Sequence, residues 1–319
     1  MRLCRFRYQN QTHVGLYDER NVTSLTLAAG THFLFTSRAV DLPSTDSLID
    51  FLPPEGRGWP AVETLVSWLK SESRVPAGIT IPTDQVQLLV PIPRPNKLFL
   101  LAGNYAEHIR EHGGTSAERS ETFPYVFMKP PTTTLTDPGA PVQIPKVSPQ
   151  YIDWEIELAV IIGRRVKHIA ESQALGAVAG YTIINDISDR KFRPNPNRTK
   201  REKDTFFDWM HGKWHDSFCP CGPCVVTTDE IMNPQNLPMK LQLNGQVKQD
   251  ASTAQQIFPV AAVIEFISNL VTLEPGDMIS TGTPSGVGSA SGTFLKPGDV
   301  LEATIDGIGT LRTPIVAEG

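Results

Sequence analysis

An α+β fold that is mainly β, with a small β-rich domain ahead of a larger second one, is the class this sequence predicts. Three observations carry it. The chain opens with short segments in which apolar and polar residues alternate, LCRFRY and HVGLYDE. Its middle holds two strongly apolar segments, WEIELAVIIG and YTIINDIS, of the length and composition of buried strands. Few stretches carry apolar residues at helical spacing.

The elements follow in order. After the two alternating strands, AVETLVSWLKSE has the spacing of a short helix. VQLLVPIPRPNK follows, stiffened into an extended connection by Pro91, Pro93 and Pro95, and the domain boundary falls near residue 90, giving domains 1–90 and 91–319. LFLLAG reads as a buried strand and AEHIREHGG as a short helix stopped by Gly113 and Gly114. RPNPNRTKREKDTFFD, between Arg193 and Asp208, is rich in proline, asparagine and charge and reads as a surface loop or flap. TAQQIFPVAAVIEFISNLV places Val260, Val263, Ile264 and Ile267 on one helical face, and LEPGDMISTGTPSGVG is a strand between Gly/Pro turns.

Composition excludes several function classes. The 319 residues are 40% hydrophobic and 20% charged, the proportions of a folded globular chain. With 29 Lys+Arg against 34 Asp+Glu the net charge is -5, and no basic block suggests a nucleic-acid partner. No apolar run reaches the length of a membrane span, and MRLCRFRYQN lacks the apolar core of a secretory signal. Four cysteines do not make a disulfide scaffold, so a cytoplasmic location is expected.

In WEIEL, residues two apart on a strand share a face, so Glu155 and Glu157 stand side by side. Ionising both is unfavourable without a cation between them. Asp186, at the end of the second buried strand, completes a possible all-oxygen site, which suits Mg²⁺ or Mn²⁺ better than Zn²⁺. A solvated strand face with two surface glutamates is the competing reading, and spacing alone leaves both open.

DWEIELAVIIG, GYTIINDIS, HGKWHDSFCPCGPCVVTTDEI, LQLNGQV and LEPGDMISTGTPSGVG, in this order, resemble the fumarylacetoacetate hydrolase family over about residues 95 to 305. The resemblance implies a mixed β-roll catalytic domain, a homodimer, and a divalent metal held by Glu155, Glu157 and Asp186. It further implies that His108 and Glu111, in GNYAEHIRE, activate water, and that Lys213 in HGKWHD faces metal and substrate. Thr283 in TGTP corresponds to a threonine that bonds the substrate's carboxylate or oxo group. Arg190 is a candidate for a substrate carboxylate, with a structural ion pair as the stronger alternative.

Two features depart from the family pattern. Arg193 stands where a glutamine that contacts substrate or metal-bound water is common, and the charged loop after it is long. An arginine there would favour an additional substrate carboxylate. A competing zinc reading rests on His211, His215, Cys219, Cys221 and Cys224, but the cramped C-x-C-x-x-C spacing and the prolines at 220 and 223 favour reduced, partly buried cysteines.

The activity the resemblance implies is metal-dependent hydrolysis of a C–C bond in a small 2,4-dioxo acid, acylpyruvate-like. Oxaloacetate-type decarboxylation and dehydration or lysis of a 2-keto-3-deoxy sugar acid are alternatives on the same site. A non-catalytic small-ligand binding protein is the alternative from another class, disfavoured by retention of the whole carboxylate, histidine and lysine set.

Overall fold

The apolar run Ile156–Ile162 is buried at every position, as is Val178–Asn185, and the two pair antiparallel from Ile156↔Asn185 to Ile162↔Val178. The computed structural model to which they belong describes residues 1–74, 76–116 and 118–319. These two strands are central in a 12-stranded sheet. On one side Val178–Asn185 meets Cys219–Thr227, which in turn meets Arg2–Tyr8 and the strands that follow it. On the other side Ile156–Ile162 meets Met278–Ser280, which runs parallel to Leu98–Ala102. Strands from before and after residue 90 thus share one sheet.

Burial on both faces explains why these central strands are apolar almost throughout. Ile156, Leu158, Val160 and Ile162 enter one hydrophobic core, together with Leu241, Leu301 and Ile305 of a five-stranded second sheet. Ala159 and Ile161 enter a second core, packed with Leu25, Val62 and Leu65 from the two N-terminal helices. Glu155 and Glu157 continue the face of Ala159 and Ile161 beyond the end of that core. Across the register Asp186 continues the face of Ile184. Simple alternation therefore delivers all three carboxylates to one place.

The helix read at AVETLVSWLKSE spans Trp59–Ser71, and that around Val260 spans Val260–Leu270 with Val260, Val263, Ile264 and Ile267 buried. Two departures have physical causes. Leu25–Thr36 is a helix the apolar spacing did not reveal, because Leu27, Phe33, Leu34 and Phe35 are exposed and only Leu25, Ala28 and His32 are buried. Its start is marked by Ser24, whose side chain accepts from the Leu27 amide. The charged segment after Arg193 is not loop throughout: its end folds into the helix Asp204–His211. Arg198 holds that helix by bonding Asp204 and Asp208. Among the described residues no helix is long and apolar enough to cross a membrane.

Candidate active site

Strand pairing sets the carboxylates. The Asp186 amide donates to the Glu155 carbonyl at 2.8 Å, and the Glu155 amide donates to Asn185 Oδ1 at 2.9 Å. Ligand atoms from Glu155, Glu157 and Asp186 all lie within 4.8 Å of one another, and all three residues are buried. Lys213 Nζ donates to Glu155 Oε2 at 2.9 Å and to Asp186 Oδ2 at 2.7 Å. Arg190 Nη2 sits 2.7 Å from Glu155 Oε1, a charge contact without hydrogen-bond alignment, while its Nε donates to Asp153 Oδ2 at 2.7 Å. Lys129, wholly buried, contacts Asp186 Oδ1 and donates to the carbonyls of Ile187 at 2.9 Å and Phe218 at 2.7 Å.

The carboxylates are not equivalent. Burial raises the Glu155 pKa, but Lys213 and Arg190 outweigh it and hold the group well below its usual range. Burial, reinforced by the charges of Asp186 and Glu155, pushes Glu157 well above that range. Glu157 Oε2 accepts from Ser280 Oγ at 2.6 Å and from the Gly282 amide at 2.9 Å, whereas its Oε1 is buried with no partner. An orphaned buried acceptor beside two further carboxylates is the donor set that a hard divalent cation completes. The residues present therefore fit Mg²⁺ or Mn²⁺.

Glu155 and Lys213 border a cavity of about 570 Å³, whose lining also includes His108, Arg190 and Thr283. The helix Ala106–Glu111 stacks His108 and Glu111 one turn apart, and His108 Nδ1 lies 2.7 Å from Glu111 Oε1. Glu111 Oε2 accepts from the Gly286 amide at 2.8 Å. Gly286 has φ +101°, and a Cβ there would stand 2.1 Å from the Lys248 carbonyl oxygen, so the turn that presents this amide requires glycine. Thr283 Oγ1 donates to the Ile156 carbonyl at 2.9 Å and accepts from Gln249 Nε2 at 2.8 Å.

Sequence comparison identifies the lineage. Residues 97–316 match the family described as Fumarylacetoacetate (FAA) hydrolase C-terminal. The chain belongs to the fumarylacetoacetate hydrolase family. It is 40% identical to a 2,4-didehydro-3-deoxy-L-rhamnonate hydrolase of Sphingomonas sp. over 229 residues, 71% of this chain and 75% of that protein. It is 36% identical to a mitochondrial oxaloacetate tautomerase of Xenopus laevis over 261 residues, 81% of this chain and 76% of that one. Among solved structures, a maleylpyruvate hydrolase from Sphingobium sp., in complex with manganese(II) and pyruvate, superposes with a TM-score of 0.73 at 27% identity, over 100% of both chains. Family relatives thus act on small oxo acids.

The structure brings Glu155, Glu157, Asp186, Lys213, Thr283, Arg190, His108 and Glu111 into one region. Arg193 is not among the residues lining the cavity: it is exposed and lines a separate depression with Arg198, Lys200 and Asp204. Cys219 and Cys221 belong to one core and Cys224 to the other, so the three thiols face opposite sides of their strand. Reading by sequence missed Lys129, Gln249 and Asp153. Lys129, in VFMKPP, was detectable as a single lysine between an apolar strand and a proline pair. Gln249 and Asp153 carried no local signal, because their partners are supplied by distant segments: Gln249 Oε1 accepts from the Ile156 amide and Asp153 takes Arg190.

Proposed function

We propose that this chain is a divalent-metal-dependent hydrolase that cleaves a C–C bond in a small 2,4-dioxo acid of acylpyruvate type. The observation that carries the reading is the His108–Glu111 pair, whose histidine lines the same cavity as Glu155 of the carboxylate cluster. Decarboxylation or tautomerisation requires no attacking water, and a histidine oriented by a carboxylate is the arrangement that supplies one. The similarity to a protein named as a hydrolase of a didehydro-deoxy sugar acid supports the same reaction class.

Glu155, Glu157 and Asp186 would hold Mg²⁺ or Mn²⁺. When bound, that ion supplies Lewis acidity toward the substrate's carboxylate and neighbouring oxo oxygen. Glu111 accepts the Nδ1 proton of His108 and leaves Nε2 free to take a proton from water. The water oxygen bonds to the C4 carbonyl carbon. The C3–C4 bond then breaks, its electron pair passing to C3 and the adjacent oxo oxygen. Lys213 places a positive charge beside Glu155 and Asp186 where that oxygen charge develops, and its pKa stays above the ordinary lysine value because the two carboxylates outweigh its burial. The proton on His108 returns to C3, giving pyruvate and a carboxylic acid. Thr283, fixed by Gln249, faces the substrate's carboxylate or oxo group, and Arg190 secures the Glu155 side of the cavity.

Assay of pyruvate release from acetylpyruvate with Mg²⁺ or Mn²⁺, and with chelator, tests the proposal; no turnover with either ion would refute it. The 36% identity to a protein named oxaloacetate tautomerase supports a second reading, enol–keto interconversion of oxaloacetate on the same site. That reading predicts activity on oxaloacetate and none on acylpyruvates. Homodimeric assembly and a cytoplasmic location complete the proposal, the first checked by light scattering and the second by fractionation.

A further inference from the structure

Among the described residues two sets of side chains gather as the ligands of a metal ion do. One is the carboxylate cluster. The other is His108, Glu111 and His112, on the helix Ala106–Glu111 and its C-terminal cap, with one ligand atom from each within 4.8 Å of the others. Their sequence spacing puts them there. Positions i, i+3 and i+4 share one helix face, so H-x-x-E-H projects two imidazoles and a carboxylate to one side. The His108 and His112 rings are nearly perpendicular, their centroids 5.1 Å apart. Both line the cavity, and His112 is exposed, which leaves a path from solvent.

The proposed chemistry uses His108 and Glu111 and gives His112 no part. Partial burial and the charges of His108 and Arg190 lower the His112 pKa from 6.5, so its imidazole is neutral at neutral pH, as a metal ligand must be. The charge of Arg190 is itself met by Asp153 and Glu155. Glu111 is oriented before any ion arrives: the Gly286 amide holds Oε2 at 2.8 Å, while Oε1 faces His108 Nδ1 at 2.7 Å. Two nitrogens and one oxygen with an open fourth position suit Zn²⁺, whereas the all-oxygen cluster suits Mg²⁺ or Mn²⁺. The two donor sets therefore select different metals.

We propose that His108, Glu111 and His112 form a zinc site, separate from the carboxylate cluster, whose occupation inhibits the enzyme. Zn²⁺ bonds to His108 Nδ1, Glu111 Oε1 and a ring nitrogen of His112, with water in the fourth position. The ion takes the place of the Nδ1 proton that His108 shares with Glu111, and that proton passes through solvent to Nε2. Nε2 then has no lone pair with which to accept a proton from water. For inhibition the inference rests on the hydrolase reading above; for zinc binding it does not.

The test titrates Zn²⁺ by calorimetry into the full chain saturated with Mg²⁺, and into His112→Ala, a change at an exposed position. The site predicts that the variant loses more than the roughly 100-fold in affinity that removing a ligand's outer hydrogen-bond partner costs. Raising Mg²⁺ about tenfold should leave the zinc affinity of wild type unchanged; a matching loss would place zinc on the carboxylates and overturn the proposal. Zinc affinity undiminished in His112→Ala would overturn it as well. In parallel, zinc should stop Mg²⁺-supported turnover of acetylpyruvate by wild type and spare His112→Ala, whose rate without zinc stays that of wild type. Wild-type turnover that continues with the site filled would overturn the inhibition. Turnover without zinc binding removes the site and keeps the hydrolase, whereas zinc binding that depends on His112 without turnover does the reverse.

Discussion

His108 Nδ1 lies 2.7 Å from Glu111 Oε1, and the other oxygen of the same glutamate is fixed by the Gly286 amide. A histidine on a six-residue helix is thereby tied to the turn following Thr283, whose side chain lines the same cavity. The tie fixes the imidazole tautomer, which is the property a water-activating base requires.

Replacing His108 with Ala should lower hydrolysis about 100- to 10,000-fold, the range for loss of a general base. Manganese affinity should remain near wild type, because His108 lies outside the carboxylate cluster. Parallel rate and manganese-titration measurements check both halves. Full activity in the variant would remove the dyad from the mechanism.

Glu111 gives a pH prediction. Burial raises its pKa, but the His108 hydrogen bond and the Gly286 amide outweigh it and leave the group below its ordinary value of 4.5. A carboxyl lowered on folding stabilises the protein above the unfolded value and loses that contribution as pH falls through the folded one. Glu111→Gln should therefore be less stable than wild type at neutral pH, the gap closing on the acid side of 4.5. Denaturant melts across that window measure it, and a gap that widens toward acid would contradict the assignment.

Glu157→Gln should act in opposite directions with and without metal. Its amide oxygen can keep the Ser280 and Gly282 hydrogen bonds, while its NH₂ donates toward the neighbouring carboxylates where Glu157 Oε1 has no partner. Metal-free protein should gain about 1–3 kcal/mol, the cost of an unsatisfied buried group. Wild type should gain about 2.7 kcal/mol from a divalent ion at 100 times its Kd, and the variant should gain almost none. Thermal melts with Mg²⁺, Mn²⁺ and chelator distinguish these outcomes.

Lys129→Met should be costly to stability. It leaves Asp186 and the Ile187 and Phe218 carbonyls without their ammonium donor in a fully buried setting. Loss of one partner of a buried pair costs about 3 kcal/mol or more. Equilibrium unfolding in urea measures this, and a change below about 1 kcal/mol would show that Lys213 alone suffices for Asp186.

The carboxylate cluster was legible because it depends on local rules. Residues two apart on a strand share a face, and Asp186 follows a segment whose apolar character identifies it as the neighbouring buried strand. The helix at Val260 was legible for the same reason, since its buried face repeats at helical spacing. The helix at Leu25 was not, because its apolar residues are largely exposed and do not mark a buried stripe. Arg193 illustrates a different limit: adjacency to Arg190 and Lys191 in sequence does not carry it into the cavity, because the chain leaves the strand end there. Lys129 and Gln249 reach the site only through pairings with residues far along the chain, which no local pattern encodes.

The most direct test of the central claim is pyruvate release from acetylpyruvate and fumarylpyruvate, with Mg²⁺ or Mn²⁺ and again with excess chelator, by wild type and His108→Ala. The account predicts release that stops with chelator and is lost in the variant. Release that persists in chelator, or in His108→Ala at the wild-type rate, would contradict it.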